Sequence, residues 1–226
     1  MPTRTKTWMF FAGFLTSLGA SAIICSILGT SEWITSTISI QDNISQGTVI
    51  ITYGLLRGQS FPQLSHGLEE PMKYFEVLGT LKASSQKSLQ VVAVLFVVFS
   101  LCASLLSCGF TFYNSVSNPY QTFLGPVGVY TWNGLSACFI FVAMMLFVGN
   151  TQSYHLSQEL SQVLHPDFTP KGATHSYGYS FWLILLVILL NAVTVVIIVF
   201  YQRARYQQKQ EQKKPMEYAP RDGILF

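Results

Sequence analysis

Four cysteines and four histidines are the side chains of this 226-residue chain that are best suited to bind a metal or to act as a nucleophile. The cysteines all lie inside apolar stretches, where a thiol packs as a small hydrophobic group. The histidines show neither an HxxxH nor an HExxH spacing, so a zinc site is not indicated. The eight residues are Cys25, Cys102, Cys108, Cys138, His66, His155, His165 and His175. Because a GxSxG motif and a Walker loop are also missing from the sequence, we predict no catalytic, cofactor-binding or metal-binding residue and no enzyme.

Two short patterns predict covalent modification. Asn43-Ile44-Ser45 is an N-glycosylation sequon beside a residue pair, Asp42-Asn43, that favours a turn. Cys108 lies near one end of an apolar stretch, where S-palmitoylation is the alternative to plain packing of the thiol. We therefore expect a glycan at Asn43 and consider an acyl chain at Cys108.

The C-terminus predicts a peptide ligand. Ile224, Leu225 and Phe226 are apolar and follow a run of polar residues. In an extended conformation Ile224 and Phe226 would lie on one side, and the segment would add a strand to the groove of a cytosolic PDZ-type scaffold. The alternative is a terminus that lies against the membrane or is disordered.

A few small or polar residues inside the apolar stretches are suited to helix packing. Gly13 and Ser17 are four residues apart, which allows a neighbouring helix to approach closely. Asn133 and Asn191 are the strongest polar groups in their stretches, and at about 1.5 Å per residue they lie within roughly 6 Å in depth. We expect a hydrogen bond between these two amides, worth about 0.6 kcal/mol, as a structural clamp, with contact to a ligand as the alternative.

The elements that must position these residues follow from the distribution of charge. Only 10% of the residues are charged, whereas 50% are hydrophobic. Uncharged stretches of 25, 71 and 31 residues lie between Lys6 and Glu32, between Lys87 and Glu159, and between Lys171 and Arg203. Stretches of this length are typical of a polytopic membrane protein, and a net charge of +3 is too small to indicate a nucleic-acid partner.

Four stretches are long enough to cross a bilayer as helices, at residues 8–28, 89–112, 127–149 and 179–201. Asn118-Pro119 and Gly125-Pro126 interrupt the longest uncharged stretch, so it holds two spans joined by a turn at 113–126. The first span also carries Ala20-Ser21-Ala22, which matches a signal-peptide cleavage site. We expect the helix to be retained because its apolar run continues to Leu28, with cleavage as the alternative.

Basic residues predict the orientation. The tails, residues 1–7 and 202–226, hold eight Lys or Arg and three acids, whereas the loops at 29–88 and 150–178 hold five and seven. Basic segments stay on the cytosolic side. We therefore expect both tails and the 113–126 turn to be cytosolic and both loops to be exoplasmic. The expected location is the plasma membrane. The spans contain no Asp, Glu, Lys, Arg or His, which argues against an ion or proton pathway.

The 60-residue first loop has room for a folded unit. Residues 35–40 alternate as TSTISI, residues 48–56 read TVIITYGLL, and residues 74–78 lie between a proline and a glycine. Such β-branched, alternating segments are typical of strands. The predicted fold class is therefore an all-α membrane protein, a four-helix bundle with a small antiparallel sheet in the first exoplasmic loop.

Several segments resemble the clarin family of tetraspan membrane glycoproteins, and the resemblance covers the whole chain. They read GTSEWITSTISI, ITYGLLRG, SNPYQTFLGPVGVYTWNGL and THSYGYSFWLILLVILLN, and the tail KPMEYAPRDGILF is most similar to that of one member. The chain is also similar in outline to claudins and to the peripheral myelin protein group. Trp33 and Gly54-Leu55-Leu56 match the opening of the claudin signature, whose second Trp and two cysteines are missing here.

The resemblance implies a non-enzymatic protein that organises membrane, actin-linked or synaptic assemblies. We therefore expect it to act through lateral helix contacts, the outer loop and the tail, with membrane lipids, other membrane proteins and a PDZ-type scaffold as partners. The alternative is an auxiliary subunit or trafficking chaperone of a channel or receptor. An intramembrane enzyme or transporter is disfavoured by the uncharged spans.

Overall fold

The structure, a computed structural model, describes residues 3–41, 46–64, 71–116 and 125–217. Its elements alternate between long helices and short strands. In chain order they are α1 (Thr3–Gly29), β1 (Ile34–Gln41), β2 (Gln46–Tyr53), β3 (Arg57–Leu64), β4 (Lys73–Glu76), α2 (Val77–Thr80), α3 (Ser85–Val116), α4 (Pro126–Gln152), α5 (Leu156–Leu164), β5 (Thr169–Tyr177) and α6 (Tyr179–Glu217).

Four helices are long and apolar enough to cross a membrane, namely α1, α3, α4 and α6. A helix suits these stretches because it satisfies every backbone hydrogen bond within the span. α4 begins with Pro126 directly after Gly125, where a proline needs no helical donor. The prediction of four spans is confirmed, and α6 continues through the basic segment to Glu217.

The four long helices pack in a ring. α1 packs against α3 and α6, and α4 packs against the same two helices. Large apolar side chains on their outer faces, such as Phe99, Leu105, Leu189 and Phe200, are exposed and available to lipid. Small polar residues face inward, which is the arrangement expected when the solvent is hydrocarbon.

The strands form one antiparallel sheet in the order β4-β3-β2-β1-β5. The predicted small sheet is confirmed, but it differs from the prediction in two strands. β3 comes from residues that we did not assign, and β5 comes from the segment between α4 and α6 rather than from the first loop. Two of the predicted strands also end earlier than expected. The strand predicted at 48–56 ends at Tyr53, and the strand predicted at 74–78 ends at Glu76, after which the helical turn α2 begins.

Prolines explain why the sequence did not predict strands β3 and β5. Pro62 in β3 pairs with Val49 on one side, while the β4 ladder on the other side covers only Arg57 to Ser60. Pro170 lies in the edge strand β5, next to a register shift in its pairing with β1. A proline is tolerated at such positions because the sheet needs no backbone N–H donor from it there.

The core runs without interruption from the helices into the sheet. Alternate residues of β1 and β2, including Ile34, Ile38, Val49 and Ile51, point toward the helix ends and are buried. The amphipathic helix α5 lies under the sheet and packs against α2, β1, β2 and β5. Its buried Leu residues belong to the same cluster, so the sheet is packed onto the bundle through a continuous apolar contact.

Candidate functional site

Hydrogen bonds between small polar side chains join neighbouring helices all around the bundle. Ser21 bonds Ser104 between α1 and α3 at 2.8 Å, and Ser100 bonds Ser136 between α3 and α4 at 3.1 Å. Asn191 of α6 donates to Ser136 Oγ of α4 at 3.3 Å, and Thr194 of α6 bonds Thr16 of α1 at 2.7 Å. We call this ring the polar belt. Its members are Thr16, Ser17, Ser21, Ser100, Ser104, Ser107, Asn133, Ser136, Asn191 and Thr194.

Gly13 and Ser17 lie where α1 meets its neighbours. A Cβ atom at Gly13 would meet Ile198 at 3.5 Å and Thr111 at 3.7 Å, so α6 and α3 both approach this position. Ser17 is buried, and its hydroxyl donates to the Ser104 carbonyl at 3.4 Å. Both residues therefore stand at helix contacts, and their contribution to packing stays a prediction.

The expected hydrogen bond between Asn133 and Asn191 does not form. Asn133 Nδ2 donates to Ser107 Oγ of α3 at 2.6 Å and to its own helix at Val129 O at 2.7 Å. Asn191 instead reaches Ser136. Within the described residues, the Oδ1 atoms of both amides lack a hydrogen-bond partner. Similar depth did not bring the two amides together, because Asn133 faces α3. The α4 residue that contacts Asn191 of α6 is Ser136, about one helical turn further along the chain.

This arrangement predicts which side chains are energetically coupled. The double substitution Asn133→Ala with Ser107→Ala should show a coupling of about 0.6 kcal/mol, the average for such bonds in membranes. Asn133→Ala combined with Asn191→Ala should be additive within about 0.3 kcal/mol, because the two amides share no bond. Unfolding titrations of the wild type, the three single variants and the two double variants in detergent measure both quantities. A clear coupling between the two asparagines would contradict the structure.

A second cluster joins the sheet to the bundle at Trp33. This residue is fully buried, and its Nε1 donates to the Ile27 carbonyl at the end of α1 at 2.7 Å. Its ring lies 4.9 Å from that of Phe147 on α4. The buried Gln90 of α3 donates to the Leu55 carbonyl at 3.0 Å. Trp33 and the segment that follows β2 therefore fasten β1 and β2 to three of the long helices.

A chain of hydrogen bonds lies beneath the sheet. Ser36 of β1 bonds His175 Nδ1 of β5 and Ser157 of α5, each at 2.8 Å, and Tyr53 of β2 bonds Ser157 at 2.8 Å. A serine beside a histidine can serve as a nucleophile, but Ser36 is completely buried and a substrate has no access to it. Burial raises the pKa of Tyr53 to about 12, so its hydroxyl stays protonated. The chain fastens α5 and the two loops together.

Sequence reasoning missed this hydrogen-bond chain. A signal was present, because residues 34, 36, 38 and 40 lie on one face of a strand and three of them are isoleucines. Ser36 had to share the inward face with those isoleucines and therefore needed a partner. The identity of the partner could not be inferred, since His175 lies 139 residues further along the chain.

His175 makes this junction sensitive to acid. Burial, and then the charge of nearby His155, lowers the pKa of His175 below its ordinary 6.5. The unfolded chain therefore binds a proton more readily, so the stability contributed by neutral His175 is complete above about pH 6.5 and is lost as the pH falls toward the lowered value. We therefore expect the amides of α5 and β5 to be less protected at about pH 5 than at about pH 7.5, where protection is the observed exchange rate compared with the intrinsic rate at the same pH.

The variant His175→Gln tests this explanation. It should remove most of the difference in protection between the two pH values, because glutamine does not titrate. Wild-type protein compared between about pH 7 and about pH 8 serves as the control, and the protection of its amides should change little. An acid response that persists unchanged in the variant would assign it to other groups.

The other predicted site residues stand apart from these clusters. Asn43, Ile224 and Phe226 lie outside the described residues. Cys108 is a free thiol with 8% of its surface exposed, so an acyl chain there would require the side chain to turn outward. Acylation stays a prediction, checked by acyl exchange with Cys108→Ala. In the part of the chain that the structure covers, no three His, Cys, Asp or Glu side chains are grouped as a metal site.

Comparison with known proteins gives full-length similarity. A family model described as Clarin-2-like matches residues 4–198. The chain is 70% identical to Clarin-3 of Homo sapiens and 67% identical to Clarin-3 of Mus musculus, in each case over all of both chains. It is 25% identical to Clarin-1 of Homo sapiens over 81% of this chain and 83% of that protein.

Proposed function

This chain belongs to the clarin family of four-span membrane proteins, and from that premise we propose that it is a non-enzymatic organiser of membrane assemblies. It is an integral multi-pass membrane protein. In the proposed role it holds other membrane proteins through its lipid-exposed helix faces and through the sheet, while its tail binds a cytosolic scaffold. The proposal concerns protein contacts and requires no turnover.

The observation that supports this role most directly is the sheet shared by the two loops. β1 to β4 come from the segment between α1 and α3, and β5 comes from the segment between α4 and α6. Trp33 and the hydrogen-bond chain at Ser36 fasten the sheet to the bundle. Two loops joined in this way form a rigid platform, and a rigid surface binds partners with little loss of conformational entropy.

The orientation completes the proposal, with the sheet outside the cell and both tails in the cytosol at the plasma membrane. The excess of basic residues in the tails supports it. It predicts a glycan at Asn43. Glycosidase treatment should increase the electrophoretic mobility of the wild-type protein, and Asn43→Gln should have the same mobility with or without the enzyme. A glycosidase-sensitive shift that remains in the variant would place the glycan elsewhere.

Proximity labelling tests the organiser role. The labelling enzyme is fused to the N-terminal tail so that the C-terminus stays free, and a variant lacking residues 224–226 is compared with the full chain. We expect a mixed set of membrane and cytoskeletal proteins, with loss of scaffold proteins in the shortened variant. If the deletion left the labelled set unchanged, the PDZ-type interaction would be discarded.

The auxiliary-subunit role is the alternative that the same platform supports. It predicts co-purification with one channel or receptor in a fixed ratio. A membrane-impermeant amine cross-linker distinguishes the two roles, because Lys73 of β4 and Lys171 of β5 lie at the two edges of the sheet. Cross-links from these lysines to one stoichiometric partner would replace the organiser role with the auxiliary one.

A further inference from the structure

A cleft of about 290 Å³ lies at the border between the sheet and the bundle. It is close to the lower end of the roughly 300–1,000 Å³ range of small-molecule sites. Its walls come from the end of α1, the connection to β1, the start of β3, β4 and the first residue of α6. The lining residues are Gly29, Thr30, Ser31, Glu32, Arg57, Gly58, Gln59, Tyr74 and Tyr179.

The lining carries one group of each charge. Arg57 is exposed at the first position of β3, and Glu32 is partly exposed on the connection between α1 and β1. A guanidinium presents several donors in a planar fork that matches the oxygens of a phosphate. A carboxylate in the same cleft favours a cation beside that phosphate. The cleft is therefore complementary to a zwitterion that combines a phosphate with a nearby positive charge.

Two aromatic rings identify the kind of cation. Tyr74 is 79% exposed and Tyr179 is 58% exposed, although large aromatic side chains are costly to leave in water. Both line the cleft. Aromatic faces bind a quaternary ammonium well because it needs no hydrogen-bond acceptor, whereas a primary ammonium does.

The depth of the cleft identifies the source of this ligand. α1 ends as a candidate membrane span at Gly29, and the span in α6 begins at Tyr179. Both residues line the cleft, which therefore lies at the ends of two candidate spans. Span ends are the level at which hydrocarbon gives way to lipid headgroups. Tyrosine is enriched at this level because its ring is apolar and its hydroxyl is polar. A headgroup of the adjacent leaflet reaches the cleft without leaving the membrane.

We propose that this cleft binds the headgroup of a phosphatidylcholine-type lipid. Arg57 donates to the phosphate, Tyr74 and Tyr179 contact the quaternary ammonium, and Glu32 balances its charge. The acyl chains then run along the surface beside α1 and α6. The binding site does not depend on whether the protein acts as an organiser or as an auxiliary subunit.

Native mass spectrometry of the full chain tests the proposal. The protein is purified in detergent with equal amounts of phosphatidylcholine, phosphatidylethanolamine and phosphatidylglycerol. We expect phosphatidylcholine to be retained about fivefold more than either other lipid, the preference that contact with aromatic rings can supply. Arg57→Gln should weaken retention of all three lipids because each carries a phosphate. Tyr74→Leu and Tyr179→Leu should remove the preference for choline.

Matched variants outside the cleft control for general effects of charge and ring loss. Lys82→Gln removes an exposed positive charge and Tyr154→Leu an exposed ring from the sheet end of the molecule, and neither residue lines the cleft. Both should retain phosphatidylcholine as the wild type does, and circular dichroism should show that every variant is folded. Equal selectivity in the cleft variants and in these controls would overturn the proposal.

Free phosphocholine distinguishes a lipid site from a soluble-ligand site. We expect it to leave bound phosphatidylcholine in place at concentrations that equal those of the lipid, because the acyl chains contribute to binding. Displacement at equal concentration would overturn the assignment to a lipid.

Discussion

Replacing Trp33 with alanine is expected to lower the free energy of unfolding by about 3–5 kcal/mol, the usual cost of removing a large aromatic side chain from a core. The ring is fully buried, lies 4.9 Å from the Phe147 ring and donates to the Ile27 carbonyl at 2.7 Å. Its loss leaves a cavity where the sheet meets α1 and α4. Unfolding in detergent followed by circular dichroism measures the change.

A second tryptophan provides the control for this experiment. Trp182 on α6 is 57% exposed on the outer face of the bundle. Trp182→Ala should therefore change the stability by less than about 0.5 kcal/mol in detergent. Trp33→Phe should lie between the two, with a loss of about 1–3 kcal/mol, because it keeps most of the ring but leaves the Ile27 carbonyl without the indole donor. Equal effects of Trp33→Ala and Trp182→Ala would contradict the buried position of Trp33.

Gly54→Ala is expected to destabilise the fold by at least about 3 kcal/mol, at or beyond the upper end of the usual 1–3 kcal/mol for overpacking. A Cβ atom at Gly54 would overlap the Thr30 carbonyl oxygen and would lie 3.0 Å from Trp33 Cδ1. The carbonyl belongs to the backbone and cannot turn aside as a flexible side chain would. The sheet would have to move away from the end of α1, and the yield of folded protein would fall.

Two further glycines make this prediction specific. Gly178 approaches the Glu32 carbonyl as closely as Gly54 approaches Thr30, so Gly178→Ala should be similarly destabilising. Gly172 in β5 has open space at its Cβ position, and Gly172→Ala should change stability by less than about 0.5 kcal/mol. Thermal unfolding of the three variants gives the comparison. A stable, fully folded Gly54→Ala protein would show that the close approach is not maintained.

Local patterns predicted the spans and part of the sheet. The four long helices follow from apolar runs of about 20 residues, whose length and composition match a bilayer without reference to any other part of the chain. β1 and β2 follow from alternation, because a half-buried strand needs that pattern whatever its neighbours are. β3 and β5 did not follow, because each contains a proline and a glycine that are tolerated only through their positions in the sheet.

The hydrogen bonds of the bundle could not be predicted from depth alone. Asn133 and Asn191 lie at similar depths, yet each bonds a serine of a neighbouring helix. Helical residues turn by about 100° per position, so two groups at one depth can face different neighbours. The partner depends on how each helix is rotated, and that rotation is decided by the packing of all four helices together.

The sequence by itself determined that this is a four-span clarin-family protein, because hydrophobic run length and family similarity are properties of contiguous residues. The tertiary structure decided that both loops enter one sheet, that Trp33 fastens this sheet to the helices, and that a cleft with Arg57 and two tyrosines opens where the sheet meets the ends of α1 and α6. These features join residues up to about 150 positions apart, as between Thr30 and Ser180. Contacts over such separations arise only when packing brings the elements together, and no local pattern encodes them.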